Sequence, residues 1–133
     1  MKKLFVVIAL LLMTVSLSAC KKYTEEAGVY ELYYMSGSFN LSNYEYYTIE
    51  LKENGDAVVK SKGNYAGAEL YEEKCTFKIV DGKIKITTRK GFAKVVEEYD
   101  YVDGEIHMLD VSLDYEGTTY TFTAKFKRLP TEG

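Results

Sequence analysis

Ionisable residues beside the Asp103-Gly104 pair have the spacing needed for chemistry between two neighbouring strands. Such a dipeptide favours a two-residue hairpin, in which residues equally distant from the turn lie opposite each other. His107, the only histidine of the chain, then lies opposite Asp100. Imidazole and carboxylate form a general-base unit, but no Ser or Cys nucleophile falls beside them. We therefore interpret His107 and Asp100 as a solvent-facing cross-strand pair.

The same register places two carboxylates, Glu97 and Asp110, opposite each other on the face that begins as core. Inside a barrel they would bind a cation or a polar ligand, or act as the acid and base of a glycosidase. Alternatively, a β-bulge re-aims the strand and leaves both acids in water, with Val96, Leu109 and Val111 inside. We favour the bulge, and we expect no catalytic residues, no metal ligands and no enzymatic activity.

Tyrosine is frequent, with 13 residues in the chain. Six of them fall on the first two predicted strands, and alternation along a strand means that they cannot all point inward. A tyrosine-rich wall would stack on sugar rings or form a docking patch for a protein. The alternative is a packed core with an exterior aromatic ladder. The candidate ligand or partner contacts are Tyr30, Tyr33, Tyr34, Tyr44, Tyr46 and Tyr47, together with Glu97 and Asp110.

The first 20 residues have the three parts of a secretory signal sequence. Lys2 and Lys3 precede an apolar stretch at 4–17, which is followed by the small residues Ser18 and Ala19. This stretch is too short to be a comfortable membrane span. We therefore expect that the protein is exported and that residues 1–19 are removed.

The cleavage region Leu17-Ser18-Ala19-Cys20 resembles the lipobox of bacterial lipoproteins. The resemblance implies that the Cys20 thiol carries a diacylglycerol, with an N-acyl chain as a further option, and becomes the mature N-terminus. An ordinary signal peptide with an incidental cysteine is the alternative. Because two acyl chains anchor a protein stably, we expect attachment on the exported side of the cell membrane or outer envelope. Residues 20–27 would then be the lipidated cysteine and a polar tether.

Cysteine usage and charge narrow the chemistry of the mature protein. Cys75 is the only other cysteine, so no internal disulfide is expected. Its alternation with Phe77 and Ile79 predicts a buried, inert thiol. The 114 residues from Cys20 onward carry 15 Lys and Arg against 20 Asp and Glu, a net charge of about −5. An acidic domain of this kind argues against nucleic acid as a partner.

From residue 28 onward the hydrophobic pattern has period two, which is typical of strands. The pairs Asn54-Gly55, Asp81-Gly82 and Asp103-Gly104 predict type I′ hairpins, and therefore antiparallel neighbours. Around Asp81-Gly82 this register places Phe77 opposite Ile86 on an apolar face. We predict eight strands, at 28–35, 44–52, 56–62, 70–80, 83–89, 94–102, 105–113 and 118–128.

These strands predict an all-β domain at 28–129 with a short tail at 130–133. Eight sequential antiparallel strands close into an up-and-down barrel that has no exposed edges, and a two-sheet sandwich is the alternative. Large inward side chains would nearly fill such a narrow barrel, so we expect at most a shallow pocket at one mouth. The side chains expected inside are Tyr30, Leu32, Phe77, Ile79, Ile84, Ile86, Tyr120, Phe122 and Phe126.

The segment Gly28-Val29-Tyr30, the Asn-Gly and Asp-Gly hairpins, DGKIKIT and the closing FTAKFKR resemble small lipocalin-like lipoproteins of bacteria. Lipocalins open with Gly-x-Trp and pack a basic residue over that ring. Here Tyr30 would replace the Trp, and Arg128 or Lys127 would supply the basic group. The resemblance implies a monomeric, non-enzymatic barrel that binds a small ligand or an envelope component. A filled barrel that acts as an inhibitor or accessory subunit is the alternative.

Overall fold

The computed structural model describes residues 22–130. Eight antiparallel strands each pair with the next, and the last pairs with the first to close a barrel. The predicted eight-stranded barrel is thereby confirmed, and the two-sheet sandwich is excluded. The signal sequence, Cys20 and the end of the tail lie outside the described residues. The strands are β1 (Gly28–Gly37), β2 (Tyr44–Leu51), β3 (Asp56–Gly63), β4 (Tyr71–Val80), β5 (Lys83–Lys90), β6 (Ala93–Val102), β7 (Glu105–Tyr115) and β8 (Thr118–Arg128).

The hairpins confirm the predicted register at two of the three expected turns. Asp81 and Asp103 have φ values of 52° and 53° and are each followed by a positive-φ glycine, as a type I′ turn requires. Phe77 pairs with Ile86, as expected. At Asn54-Gly55 the predicted antiparallel pairing of β2 and β3 is confirmed, but the predicted type I′ turn was wrong. Here the Lys52 and Asp56 backbones close a three-residue loop, and the Asn54 side chain accepts a hydrogen bond from the Asp56 N–H.

A tight turn that the sequence reading missed joins β7 to β8. Glu116, with a φ of 50°, precedes Gly117, with a φ of 78°. This pair has the backbone of a type I′ turn, although glutamate has no intrinsic preference for positive φ. The strong β-pattern on both sides imposes the conformation, because the strands flanking the turn are paired without a gap down to Tyr115 and Thr118.

The barrel has two unlike ends. The closed end carries the hairpins at 52–56, 81–82 and 103–104. The open end carries the loops at 38–43, 64–70, 91–92 and 116–117. The closed half is tightly packed, because large side chains from several strands are fully buried there. The largest fully buried side chains are Tyr30, Phe126, Ile49, Leu51, Ile84 and Ile106.

Residues 22–27 pack on the closed end, so the predicted tether is wrong for this described part of it. Tyr23 is 6% exposed, and its ring centroid lies 4.7 Å from that of Phe77. The Tyr23 N–H donates to the Glu53 carbonyl at 2.8 Å, and the Ala27 N–H donates back to the Tyr23 carbonyl. One aromatic residue in a polar stretch gives no periodic signal, which is why the pattern alone suggested a free linker.

The C-terminal strand β8 holds residues 22–27 against the closed end. Arg128 on β8 donates hydrogen bonds to the carbonyl oxygens of Glu25 and Ala27. The closed barrel and its apolar core lie within residues 22–130, so this segment has what an independently folding domain requires. Among these residues there is no helix long and apolar enough to cross a membrane.

Candidate ligand-binding cavity

The open end of the barrel contains a cavity of about 340 Å³. Its volume lies within the range of small-molecule sites in proteins, which begins near 300 Å³. Our expectation of a mostly filled barrel with a shallow pocket was therefore wrong for this half. Tyr120 pairs with the lining residue Leu113 near the open end, and its ring stacks on Phe39 with centroids 5.5 Å apart.

The floor and wall of the cavity are apolar. Every strand except β1 contributes at least one side chain, because interior positions alternate along all of them. Ile86 and Met108 are buried, whereas Phe122 is partly buried and edge-on to Phe39. The apolar lining consists of Ile49, Val59, Cys75, Ile86, Val95, Met108, Val111, Leu113 and Phe122. Such a surface favours the apolar part of a ligand.

Polar groups are confined to a few positions on this lining. Glu73 on β4 and Glu97 on β6 supply two carboxylates, and Lys90 at the end of β5 supplies one exposed ammonium group. The Tyr99 hydroxyl donates a hydrogen bond to Glu97. Burial, followed by this hydrogen bond, raises the pKa of Tyr99 above its usual range.

Tyr47 has a hydroxyl group that faces the cavity. Its ring packs edge-on to Phe126, with centroids 5.1 Å apart. Burial raises the pKa of Tyr47 to about 12, with smaller contributions from Tyr44 and from the Glu97 and Glu73 carboxylates. Within residues 22–130 no hydrogen bond to the Tyr47 hydroxyl occurs, yet no fully buried polar side-chain atom there lacks a partner. The hydroxyl is therefore accessible from the cavity.

Glu97 and Asp110 do not meet, so the predicted pairing was wrong. β7 pairs with β8 through Met108 and Ala124 and resumes only at Val111 and Phe122. Asp110 occupies the resulting bulge with a φ of 47°, and its N–H donates to the Thr123 hydroxyl at 3.1 Å. Its side chain is exposed on the outside of the barrel.

The bulge was expected, and both acids are solvent-exposed, as that interpretation required. Glu97 pairs with the buried Ile86, so it stays on the interior face of β6. Val96 and Leu109, which we had placed inside, are 52% and 49% exposed. Val111 does line the cavity. A glycosidase using Glu97 and Asp110 therefore has no structural basis.

Glu73 is the cavity residue that the sequence reading missed. It pairs with Val59 on β3 and lies two residues before the buried Cys75. Extending the predicted alternation of Cys75 and Phe77 by two positions would have found it. A charged side chain near a strand end nevertheless resembles an ordinary surface residue.

His107 and Asp100 pair in register as predicted, but their side chains have other partners. The imidazole Nε2 lies 3.0 Å from the Glu105 carboxylate. Asp100 forms an ion pair with Lys83 across β5 and β6. Both contacts lie on the outer face of the barrel, and no group of three or more metal-ligating side chains occurs in residues 22–130.

Three of the six candidate tyrosines point into the barrel. Tyr30 lies at the closed end, and Tyr44 and Tyr47 lie near the open end. Tyr30 is fully buried at the closed end, where its hydroxyl lies 2.7 Å from both the Glu26 carbonyl and the Tyr101 hydroxyl. Burial, followed by the Tyr101 hydrogen bond, raises the pKa of Tyr30 above its usual range. Tyr44 packs edge-on to Tyr47 at 5.3 Å near the open end.

The other three candidate tyrosines lie outside. A bulge between Leu32 and Tyr34 turns both Tyr33 and Tyr34 outward. The Lys127 and Lys125 ammonium groups lie 5.2 Å and 5.1 Å from the centres of these two rings. Tyr46 alternates outward beside the interior Tyr47. Tyr33 and Tyr34 thus each have a lysine over the ring, and no exterior aromatic ladder forms between the described residues.

Cys75 is buried as predicted, at 8% exposure. Its Sγ lies 3.4 Å from the Thr88 hydroxyl, and burial raises the pKa of the thiol. A thiol held in its protonated form reacts slowly. Cys75 also forms part of the cavity lining.

Comparison with known proteins found no match to a family model, a curated protein or a solved structure.

Proposed function

We propose that this protein is a lipid-anchored lipoprotein of the cell envelope, resembling the lipocalin-like ones, whose barrel binds a small ligand without converting it. The observation that carries the proposal is the cavity of about 340 Å³ at the open end. It combines an apolar wall with a few polar groups, which is the usual composition of a small-molecule site.

The position of the N-terminal segment supports a defined orientation on the membrane. Tyr23 is fixed at the closed end, and three residue steps separate it from Cys20. Three extended residues span at most about 11 Å. A lipid on Cys20 would therefore hold the closed end against the bilayer. The open end would face away from the membrane, where a ligand has free access.

Ligand binding is tested by titrating residues 21–133 with N-phenyl-1-naphthylamine, a neutral apolar dye whose fluorescence depends on its environment. We expect saturable one-to-one binding. The larger ring of Phe122→Trp should occupy the cavity and abolish binding, whereas Val96→Trp on the outer face should leave it unchanged. A dye signal that does not saturate, or that survives Phe122→Trp, would contradict a ligand site in the barrel.

Anchoring is tested in the full-length chain by fractionating cells. Cys20→Ala removes the sulfur that accepts the lipid, so the domain should leave the membrane fraction or accumulate unprocessed. Cys75→Ala is the matched control, because it removes the other cysteine and should keep the protein on the membrane. Unchanged membrane retention of Cys20→Ala would rule out the lipid anchor.

A second candidate function is a protein-interaction module that docks through the open end. The observation in its favour is the apolar rim, where Phe92 is fully exposed and Tyr65 and Tyr115 are 71% and 62% exposed. Exposed aromatic residues are frequent anchors of protein interfaces. In this case Phe92→Ser would weaken recovery of an envelope partner by crosslinking, while dye binding in the cavity would not change.

A further inference from the structure

The charged side chains of the cavity are mostly negative, whereas a fatty acid would need positive ones. Two carboxylates line the same space, Glu73 on β4 and Glu97 on β6, with only β5 between their strands; β5 carries Lys90, the one cationic group among the lining residues. Both carboxylates act on the pKa of Tyr47 and of Cys75.

The two cavity carboxylates are not neutralised by ion pairs. Within residues 22–130, the salt bridges join Lys62 to Glu45, Lys83 to Asp100, Lys85 to Glu98 and His107 to Glu105. All four lie outside the cavity lining. Neither Glu73, Glu97 nor Lys90 takes part in them. Glu73 is partly buried, whereas Glu97 is exposed at the open end, where the Tyr99 hydroxyl donates to it. Two carboxylates without an ion pair at one cavity favour a cationic ligand.

Tyrosine rings add a second source of attraction for a cation. Tyr47, Tyr71 and Tyr99 all line the cavity. The face of an aromatic ring carries negative electrostatic potential and binds ammonium groups within about 6 Å. The free Tyr47 hydroxyl, accessible from the cavity, supplies an acceptor for an N–H donor.

We infer that the ligand is an amphiphilic organic cation: an apolar body against Ile86, Met108 and Phe122, and an amine or quaternary ammonium group between Glu73 and Glu97. This inference rests on the proposed ligand-binding function and specifies its substrate class. An anionic amphiphile such as a fatty acid would meet two carboxylates and only one lysine, so it should bind worst.

The test uses three dansyl sulfonamides that carry the same five-carbon chain, ending in an ammonium, a methyl or a carboxylate group. Fluorescence titration of residues 21–133 gives one affinity for each probe. We expect the ammonium probe to bind about tenfold more tightly than the methyl probe, as one charge-assisted hydrogen bond would provide. The carboxylate probe should be the weakest of the three.

Substitutions test whether the preference for the ammonium probe arises in the cavity. Glu97→Gln should remove most of the advantage of the ammonium probe, with no change for the methyl probe, and Glu73→Gln should act in the same direction. Glu98→Gln is the matched control, since Glu98 lies on the outer face beside Lys85. Circular dichroism confirms that each variant is folded before it is titrated.

The Cys75 thiol supplies a readout that is independent of dye fluorescence. The non-fluorescent amine octylammonium, added in excess, should slow labelling of Cys75 by a maleimide several-fold, whereas octanoate should not. Equal binding of the three probes, or an unchanged preference in both glutamine variants, would overturn the cationic ligand and leave the proposed cavity function intact. Failure of all three probes to bind would overturn the proposed function itself.

Discussion

Tyr30 and Tyr47 are both interior tyrosines, yet their surroundings differ from one end of the barrel to the other. The Tyr30 hydroxyl is held between the Glu26 carbonyl and the Tyr101 hydroxyl, each 2.7 Å away. The Tyr47 hydroxyl faces a cavity. The closed end thus satisfies its polar groups from within the protein, and the open end leaves one accessible to a ligand.

This difference separates stability from binding within one small domain. Fully buried side chains such as Tyr30, Ile84 and Ile106 concentrate in the closed half. Residues 22–27 add the ring of Tyr23 to that half. Because each large buried side chain contributes about 1.5–3 kcal/mol, the closed half can stabilise a barrel whose other half is not filled.

The largest expected effect comes from making the same substitution at both ends. Phe77 is 3% exposed and packs against Tyr23, whereas Phe122 is only partly buried and already borders the cavity. We expect Phe77→Ala to lower the free energy of unfolding by about 3–5 kcal/mol. Phe122→Ala should cost less than about half of that, because it removes fewer contacts.

Urea unfolding of residues 21–133, followed by circular dichroism, measures both changes. If Phe122→Ala were the more destabilising of the two, the closed half would not be the main source of the stability of the domain. Phe122→Ala should also enlarge the space available to the neutral dye, so dye binding should persist in this variant.

A second, smaller contrast comes from removing one oxygen atom at each end. Tyr30→Phe deletes a hydroxyl with two short hydrogen bonds and leaves the Glu26 carbonyl and Tyr101 without this partner. We expect a loss of about 1–3 kcal/mol, as is usual when a buried polar group loses its partner. Tyr47→Phe should cost less than about 0.5 kcal/mol, since its hydroxyl has no hydrogen bond within residues 22–130 to lose. Similar losses for both variants in urea unfolding would contradict the comparison.

Most of the closed end follows from local sequence signals. The Asp-Gly turns fix the register of two hairpins, and alternation then places Phe77, Ile84, Ile86 and Ile106 inside. Asp100 and His107 pair as predicted for the same reason. Turn chemistry and period-two patterning act over a few residues, so they are readable without any knowledge of distant contacts.

The remaining features depend on contacts that a local pattern does not encode. Tyr23 is buried because Glu53 and Phe77 are near it in space, and residues 21–27 alone resemble a linker. Asp110 leaves the interior because β7 has one residue more than β8 at that point. The cavity depends on where interior side chains fail to meet, a property of the whole barrel rather than of any strand.

The smallest expected effect concerns the outer surface of the closed end. The Tyr33 hydroxyl on β1 donates a hydrogen bond to Glu105 on β7, across the intervening β8. This hydrogen bond, followed by the one from His107, lowers the pKa of Glu105 below its usual range. No equivalent link between second-neighbour strands occurs around the open-end cavity in residues 22–130.

The lowered pKa of Glu105 determines how the contribution of the Tyr33 hydrogen bond to stability changes with pH. A carboxyl group whose pKa is lower in the folded state stabilises the protein above its unfolded pKa of about 4.3, and this contribution disappears as the pH falls through the folded pKa. Tyr33→Phe removes the first cause of the shift, so it should cost less than about 1 kcal/mol at pH 7. The difference from the unsubstituted domain should shrink steadily below about pH 4.3, when Glu105 is protonated in both. Thermal unfolding between pH 7 and pH 3 measures the difference, with Tyr46→Phe as the control on the outside of β2. A difference between Tyr33→Phe and the unsubstituted domain that stays constant across this range would show that the Tyr33 ring under Lys127, rather than the ionised Glu105, joins β1 to its neighbours.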